Sequence, residues 1–284
     1  MSVPLCRPAL RRAAALCALT ATLAACGAER PPRPASTAVQ VPAPAAKPPT
    51  LAPGPAGLTP VFEHGPRTGG ATVALTFDAD MTAGQGQRAA AGERFDHPRL
   101  IATLRALRVP ATVFMTGRWA EEYTGQARSI GRDPLFEVAN HSYSHHAFTG
   151  DCYGLPEVAA SRMRPDVERA YAAFRTAGVP DAMPYFRFPG GCYDRRALKA
   201  LAPAGVTAVQ WDVVGGDAFE TDPEVVVRQV LDGVRPGSVV VLHCTRSAAP
   251  ATERAVRTIV PELRRRGYRF VKVSDLIRTA GARR

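Results

Sequence analysis

Four short segments carry the residue types that hydrolysis requires, and they fall in a fixed order. Thr76-Phe77-Asp78-Ala79-Asp80 supplies two carboxylates, and His141-Ser142-Tyr143-Ser144-His145 supplies two imidazoles four residues apart. Arg187-Phe188-Pro189-Gly190-Gly191 supplies a guanidinium ahead of two glycines, and Leu242-His243 a late histidine. Together they hold metal ligands, a general base, an orienting cation and a general acid, the set that metal-assisted hydrolysis uses.

Each segment also has a plainer reading. Asp78 and Asp80 could form a turn or a helix cap, yet carboxylates beside an apolar strand are costly to bury without partners. His141 and His145 suit one metal held from a single turn or tight loop. They do not form the helical His-Glu-x-x-His motif, because Ser142 stands where the Glu would be. Arg187 could sit in a surface turn, or pair with Asp78 or Asp217 and keep a base ionised. Backbone N–H groups in the glycine loop could hold a developing oxyanion. His243 ends the most apolar run and reads as a core histidine or as an acid for a leaving amine. Trp211 could line a sugar site or fill the core.

The elements that must position these groups alternate between β-rich apolar runs and helical patterns. Strands are expected near 73–77, 111–115, 137–140, 185–188, 206–211, 238–242 and 270–273. Helices are expected at 97–107, 156–177, 194–202, 223–231 (with Asp222 as N-cap) and 251–266. Near-continuous apolar strands alternating with helices indicate a parallel sheet covered by helices. The expected fold class is α/β, a distorted (β/α) TIM-like barrel with about seven parallel strands; an open doubly wound sheet is the alternative. Each motif falls at the C-terminal end of a strand, where barrel chemistry gathers.

The ends of the 284-residue chain read differently. Residues 1–26 resemble a lipoprotein signal: Arg7, Arg11 and Arg12, then an apolar run too short for a stable span, then Leu23-Ala24-Ala25-Cys26. Lipidation of Cys26 would anchor the exported chain to the outer face of the bacterial cell membrane; an ordinary cleavage site would leave it secreted. Residues 27–69 read as a Pro/Ala-rich tether. Residues 70–278 are expected to fold, with 279–284 as a tail. The formal charge is +11, and removing the three arginines of residues 1–26 leaves +8. An exported chain has little occasion to meet nucleic acid, so an anionic envelope is the expected partner of this surface. Cys6 and Cys17 leave with the signal. Of the remaining three, Cys152 and Cys192 sit in loops and are the expected disulfide, while Cys244 adjoins a strand and reads as a buried thiol.

The four motifs resemble those of the polysaccharide deacetylases, the NodB-homology domain of carbohydrate esterase family four. Thr76-Phe77-Asp78 fits the start of Thr-Phe-Asp-Asp-Gly, and His141 to His145 fits His-(Ser/Thr)-x-x-His. Arg187, Pro189 and Gly191 fit Arg-x-Pro-x-Gly, and Val241-Leu242-His243 resembles the last motif, Leu-x-His. The fourth motif, Asp-x-x-Asp-Trp, is partial, with Asp217 in place and Ala218 where the Trp would stand. The resemblance implies hydrolysis of N-acetyl groups on an amino-sugar polymer with zinc or a similar divalent ion; the anchor makes peptidoglycan the expected polymer, and a monomer is expected. Chitooligosaccharides and acetylated xylan are the enzymatic alternatives, and a non-catalytic carbohydrate-binding lipoprotein is the alternative of another class. It implies Asp78 as base, His141 and His145 as ligands, His243 as acid and Arg187 orienting Asp78. It further implies Asp217 tethering Arg187, and the Gly190 N–H at the oxyanion. Ala79 replaces the family's metal-binding carboxylate. Either Asp80 ligates instead, Asp78 serves both roles, or metal binding is weakened; Asp80 is the expected ligand.

Overall fold

The computed structural model describes residues 47–281. The signal, Cys26 and the tether as far as residue 46 lie outside the described residues, as do 282–284.

The chain runs through β1 (Val61–Phe62), β2 (Thr72–Ala79), α1 (Gln85–Ala90), α2 (Pro98–Ala106) and β3 (Ala111–Met115). It continues through α3 (Gly117–Glu122), α4 (Thr124–Gly131), β4 (Phe136–Asn140), α5 (Met163–Ala177) and β5 (Tyr185–Phe186). Then come α6 (Arg195–Leu201), β6 (Thr207–Val209), β7 (Val213–Val214) and α7 (Pro223–Gly233). Last are β8 (Ser238–His243), α8 (Thr252–Arg265), β9 (Arg269–Phe270) and α9 (Val273–Gly281). The strands pair in the order β1-β6-β5-β4-β3-β2-β8-β7, with β9 beside the start of β2, and every pairing is parallel.

Alternation along each strand sorts side chains to two faces. Val73, Leu75 and Phe77 of β2, Val113 of β3, Val138 of β4 and Val240 and Leu242 of β8 pack outward with helix residues such as Leu104, Phe174, Val230 and Ile259. Ala74, Phe114, Ala139, Tyr185, Val209 and Val239 pack inward. The sheet thus curls into the half-barrel expected of the fold, with nine strands rather than seven. The two unforeseen strands are β1 and β7, each only two residues long.

Several boundaries differ from expectation. Residues 47–69 were expected to be tether, but they belong to the folded unit. Val61 and Phe62 pair with Ala208 and Val209, His64 bridges Ser238, and Arg67 pairs with Asp212 at 2.8 Å. Proline-rich composition hid a strand that uses a neighbouring strand's free edge. Upstream, Tyr185 Oη donates to Pro49 O (2.7 Å) and Leu51 N donates to Thr207 Oγ1 (3.2 Å). Both contacts are made at the first residue of a strand, the end of the barrel opposite the motifs.

The final strand and tail are corrected too. β9 stops at Phe270, and α9 runs on through residues 279–281 of the expected tail, to Gly281. Val273, Leu276 and Ile277 follow helical spacing and join the inward cluster, so α9 plugs the base of the barrel. The helix expected from Pro156 starts at Met163. Residues upstream are used in a loop, where Ala147 N donates to Pro156 O and Val158 N to Ala147 O, both 2.8 Å. Gly178, at φ 79°, ends this helix as its C-cap.

Candidate active site

The inward face of β2 sets the first two carboxylates. Asp78 points inward, Ala79 packs in the outer core, and Asp80 returns to the inner side just past the strand. Asp80 therefore occupies the position from which a carboxylate can reach the histidines. Its Oδ1 accepts from Thr245 Oγ1 at 2.9 Å, and its own N donates to the same hydroxyl oxygen at 3.3 Å.

The histidines come from the loop after β4. Asn140 Oδ1 accepts from Ser142 N (2.8 Å), Ser142 Oγ accepts from His145 N (2.9 Å), and Asp166 Oδ1, in the first turn of α5, accepts from Tyr143 N (2.7 Å). These bonds hold Ser142 and His145 at φ 72° and 56°, left-handed conformations that non-glycine residues adopt at a cost. His141 Nδ1 lies 2.9 Å from Arg187 O. A carbonyl oxygen only accepts, so Nδ1 carries the hydrogen and Nε2 keeps its lone pair.

One ligand atom from each of Asp80, His141 and His145 lies within 4.8 Å of the others. Burial lowers the pKa of both imidazoles against the pull of Asp78 and Asp80, that of His145 to about 4. Both are therefore neutral near pH 7, the form that binds metal. Two neutral imidazoles, one carboxylate and an open side fit zinc or a similar divalent ion.

Asp78 sits beside this trio, its Oδ2 3.6 Å from His141 Nε2. Its Oδ1 accepts from Arg187 Nη1 at 2.7 Å. Burial would raise the pKa of Asp78, but Arg187, His141 and His243 outweigh it and hold the carboxyl below its ordinary value. Asp78 is therefore ionised near pH 7. Arg187 is fully buried, with Nε and Nη2 donating to the carbonyls of Val209 (3.2 Å) and Gln210 (3.4 Å). Its guanidinium lies 3.9 Å over the Phe114 ring and 5.3 Å from that of Trp211.

Here the structure corrects the expected role of Asp217. It does not tether Arg187, which backbone carbonyls hold instead. Asp217 is fully buried, and its Oδ1 lies 2.9 Å from His243 Nδ1 while its Oδ2 accepts from His243 N at 2.8 Å. Thr252 Oγ1 donates to the same Oδ2. Burial opposes a charge on His243, but Asp217 overcomes it and, with Asp78 and Asp80, pushes the pKa up to about 9. The His243 side chain keeps 23% exposure, so its Nε2 side can face a substrate. Asp217 thus positions the His243 ring.

Gly190 sits at φ 66° in the turn after Arg187, and a Cβ there would come within 2.5 Å of Cys152 Sγ. The expected Cys152–Cys192 disulfide is present, with Cα atoms 5.9 Å apart, and Cys244 is buried and free. Trp211 is half-buried against the inner cluster and touches the Gly191 backbone, where a Cβ would approach it to 2.4 Å. Thr245, Thr252 and Asn140 support the site without any motif announcing them. Thr245 lies two residues after His243, but a hydroxyl at that spacing is no signal in itself.

A profile of the family described as Polysaccharide deacetylase matches residues 65–209. The chain is 30% identical over 194 residues to a chitooligosaccharide deacetylase of Bradyrhizobium sp. (strain ANU 289), covering 64% of this chain and 84% of that one. It is 26% identical over 183 residues to a peptidoglycan-N-acetylglucosamine deacetylase of Bacillus cereus, covering 64% and 81%. A carbohydrate esterase family 4 pseudoenzyme from Bacillus anthracis shares the fold, with a TM-score of 0.63 at 22% identity over 81% of this chain and 70% of that one. With the profile spanning half its length and a relative at this identity, the chain belongs to the polysaccharide deacetylase family.

Proposed function

We propose that this protein removes acetyl groups from the amino sugars of a polysaccharide, with peptidoglycan as the substrate. The observation that carries this reading is a base and an acid set around one metal-ligand trio. Asp78 is kept ionised by Arg187, and His243 is kept protonated by Asp217, with Asp80, His141 and His145 beside them.

A divalent ion held by Asp80, His141 and His145 would supply the Lewis acid that polarises the acetyl carbonyl. Asp78 takes a proton from the attacking water as its oxygen bonds to the acetyl carbon. His243 delivers a proton to the sugar nitrogen as the carbon–nitrogen bond breaks, giving acetate and a free amine. Arg187 fixes the orientation of Asp78. The Gly190 N–H is placed in the turn beside Arg187 and suits the developing oxyanion.

Peptidoglycan is favoured over chitooligosaccharide or acetylated xylan by the expected lipid on Cys26, which would confine a monomeric enzyme to its own envelope. Labelling with palmitate in wild type and in Cys26→Ala tests that anchor. Acetate release from peptidoglycan and from chitin oligomers, with chelator and with zinc restored, tests the activity. The expected result is release that chelator stops and zinc restores, falling roughly 10²–10⁴-fold in His243→Ala. No release from any substrate by zinc-loaded protein overturns the reading and favours a carbohydrate-binding lipoprotein.

A further inference from the structure

Among the described residues, the large apolar side chains left exposed are Tyr153 (76%), Phe219 (76%) and Val214 (53%). They are not scattered. Tyr153 and Phe219 touch, with ring centroids 6.1 Å apart and planes 43° apart. Val214 ends β7 and leads, through Gly215 and Gly216, into Asp217 and the turn in which Phe219 N donates to Gly216 O.

The two rings come from loops that hold different parts of the catalytic apparatus. Tyr153 follows Cys152, whose disulfide to Cys192 ties it to the loop after Arg187. Its ring lies against Gly190, where a Cβ would come within 3.2 Å of Tyr153 Cδ2. Phe219 stands two residues after Asp217, which holds His243. Tyr153 is itself strained, at φ 52°, with Gly154 following at 72°. A left-handed tyrosine costs free energy, and here it turns an aromatic ring out to water beside the site rather than into the core.

We propose that Tyr153 and Phe219 form a stacking platform for a pyranose ring of the substrate chain, next to the sugar whose acetyl group is removed. This deepens the deacetylase reading and rests on it. A pyranose presents C–H faces with a hydroxyl rim. Two exposed rings at the mouth offer the apolar surface for one face, and the Tyr153 hydroxyl offers a hydrogen bond to the rim. A sugar beyond the reacting one is needed to reach the pair, so the platform favours longer chains. It also gives the disulfide a use, since one half of the platform stands on it.

The test is calorimetric titration of the zinc-loaded protein with N-acetylchitotetraose and with N-acetylglucosamine, alongside acetate release from both. Variants are Tyr153→Ala and Phe219→Ala, with Phe219→Trp as the conservative exchange. Each alanine variant is expected to bind the tetramer roughly tenfold more weakly. Zinc content, melting temperature and turnover of the monosaccharide should stay as in wild type, and Phe219→Trp should keep tetramer affinity. Unchanged tetramer affinity in both alanine variants overturns the platform, as does a wild-type protein that binds no oligomer. A change in oligomeric state on light scattering, without loss of sugar affinity, also overturns it and marks the pair as a contact between copies. Tetramer binding that needs both rings, without acetate release from the tetramer or from peptidoglycan, upholds the platform and overturns the deacetylase reading instead.

Discussion

Ala79 and Asp80 show how a one-residue displacement changes which groups can meet. Position 79 faces the outer hydrophobic cluster and is fully buried, so a carboxylate there could not reach His141 or His145. Asp80 shares the inward side with Asp78, and Thr245 holds it. Restoring the family's usual Asp at 79 should therefore harm the protein. Ala79→Asp is expected to lose about 2–5 kcal/mol of stability in urea melts with no gain in zinc affinity, because it buries an unpaired charge. Asp80→Ala should instead fold normally and lose more than roughly a hundredfold in zinc affinity, read by chelator competition. The His243–Asp217 pair sets a pH limit. With its pKa raised to about 9, His243 stays an acid until pH passes that value, and the alkaline limb of kcat falls there. The same pair stabilises the fold fully below the ordinary imidazole pKa and loses that contribution as pH rises through about 9. Asp217→Asn removes the charge that raises it. The alkaline limb should move down toward the ordinary imidazole range, and the loss of stability over that window should shrink.

At the scale of elements, the strands bearing motifs were legible because a buried parallel strand is an apolar run, and each run ends in its polar motif. Val73–Phe77, Ala111–Met115 and Ser238–Leu242 fall inside observed strands for this reason. Short elements were not legible. Val61–Phe62 and Val213–Val214 are strands only because neighbours pair with them. The start of α5 was misplaced because two prolines, Pro156 and Pro165, both suit a first helical turn. The partner of Asp217 was not legible either. A loop carboxylate can reach either cation, and the choice depends on where two strand ends lie in space. The Cys152–Cys192 bridge was legible from loop placement and carries its own consequence. It closes a 40-residue separation, so Cys152→Ser with Cys192→Ser should lower stability by up to about 4 kcal/mol, measured by thermal melts. Arg187 is held independently by Asp78, Val209 and Gln210, so turnover of a monosaccharide should persist at temperatures where the variant stays folded.

For the molecule as a whole, both described ends of the chain complete the barrel. Phe62 is buried, and α9 contributes Val273, Leu276 and Ile277 to the inner cluster. A chain starting at residue 70, the boundary that composition suggests, should melt well below one starting at 47, because β6 loses β1 and Tyr185 Oη loses Pro49 O. Equal melting temperatures would refute this role for the segment. The placing of residues 49–51 has a directional meaning as well. They meet the barrel at the first residues of β5 and β6, while the catalytic groups lie at the far ends of the strands. Residue 47 therefore enters the folded unit at the floor of the barrel, with the candidate site at the opposite pole. With the lipid proposed on Cys26, such a domain would work like a brush on a handle, its site turned toward polymer beyond the point of attachment.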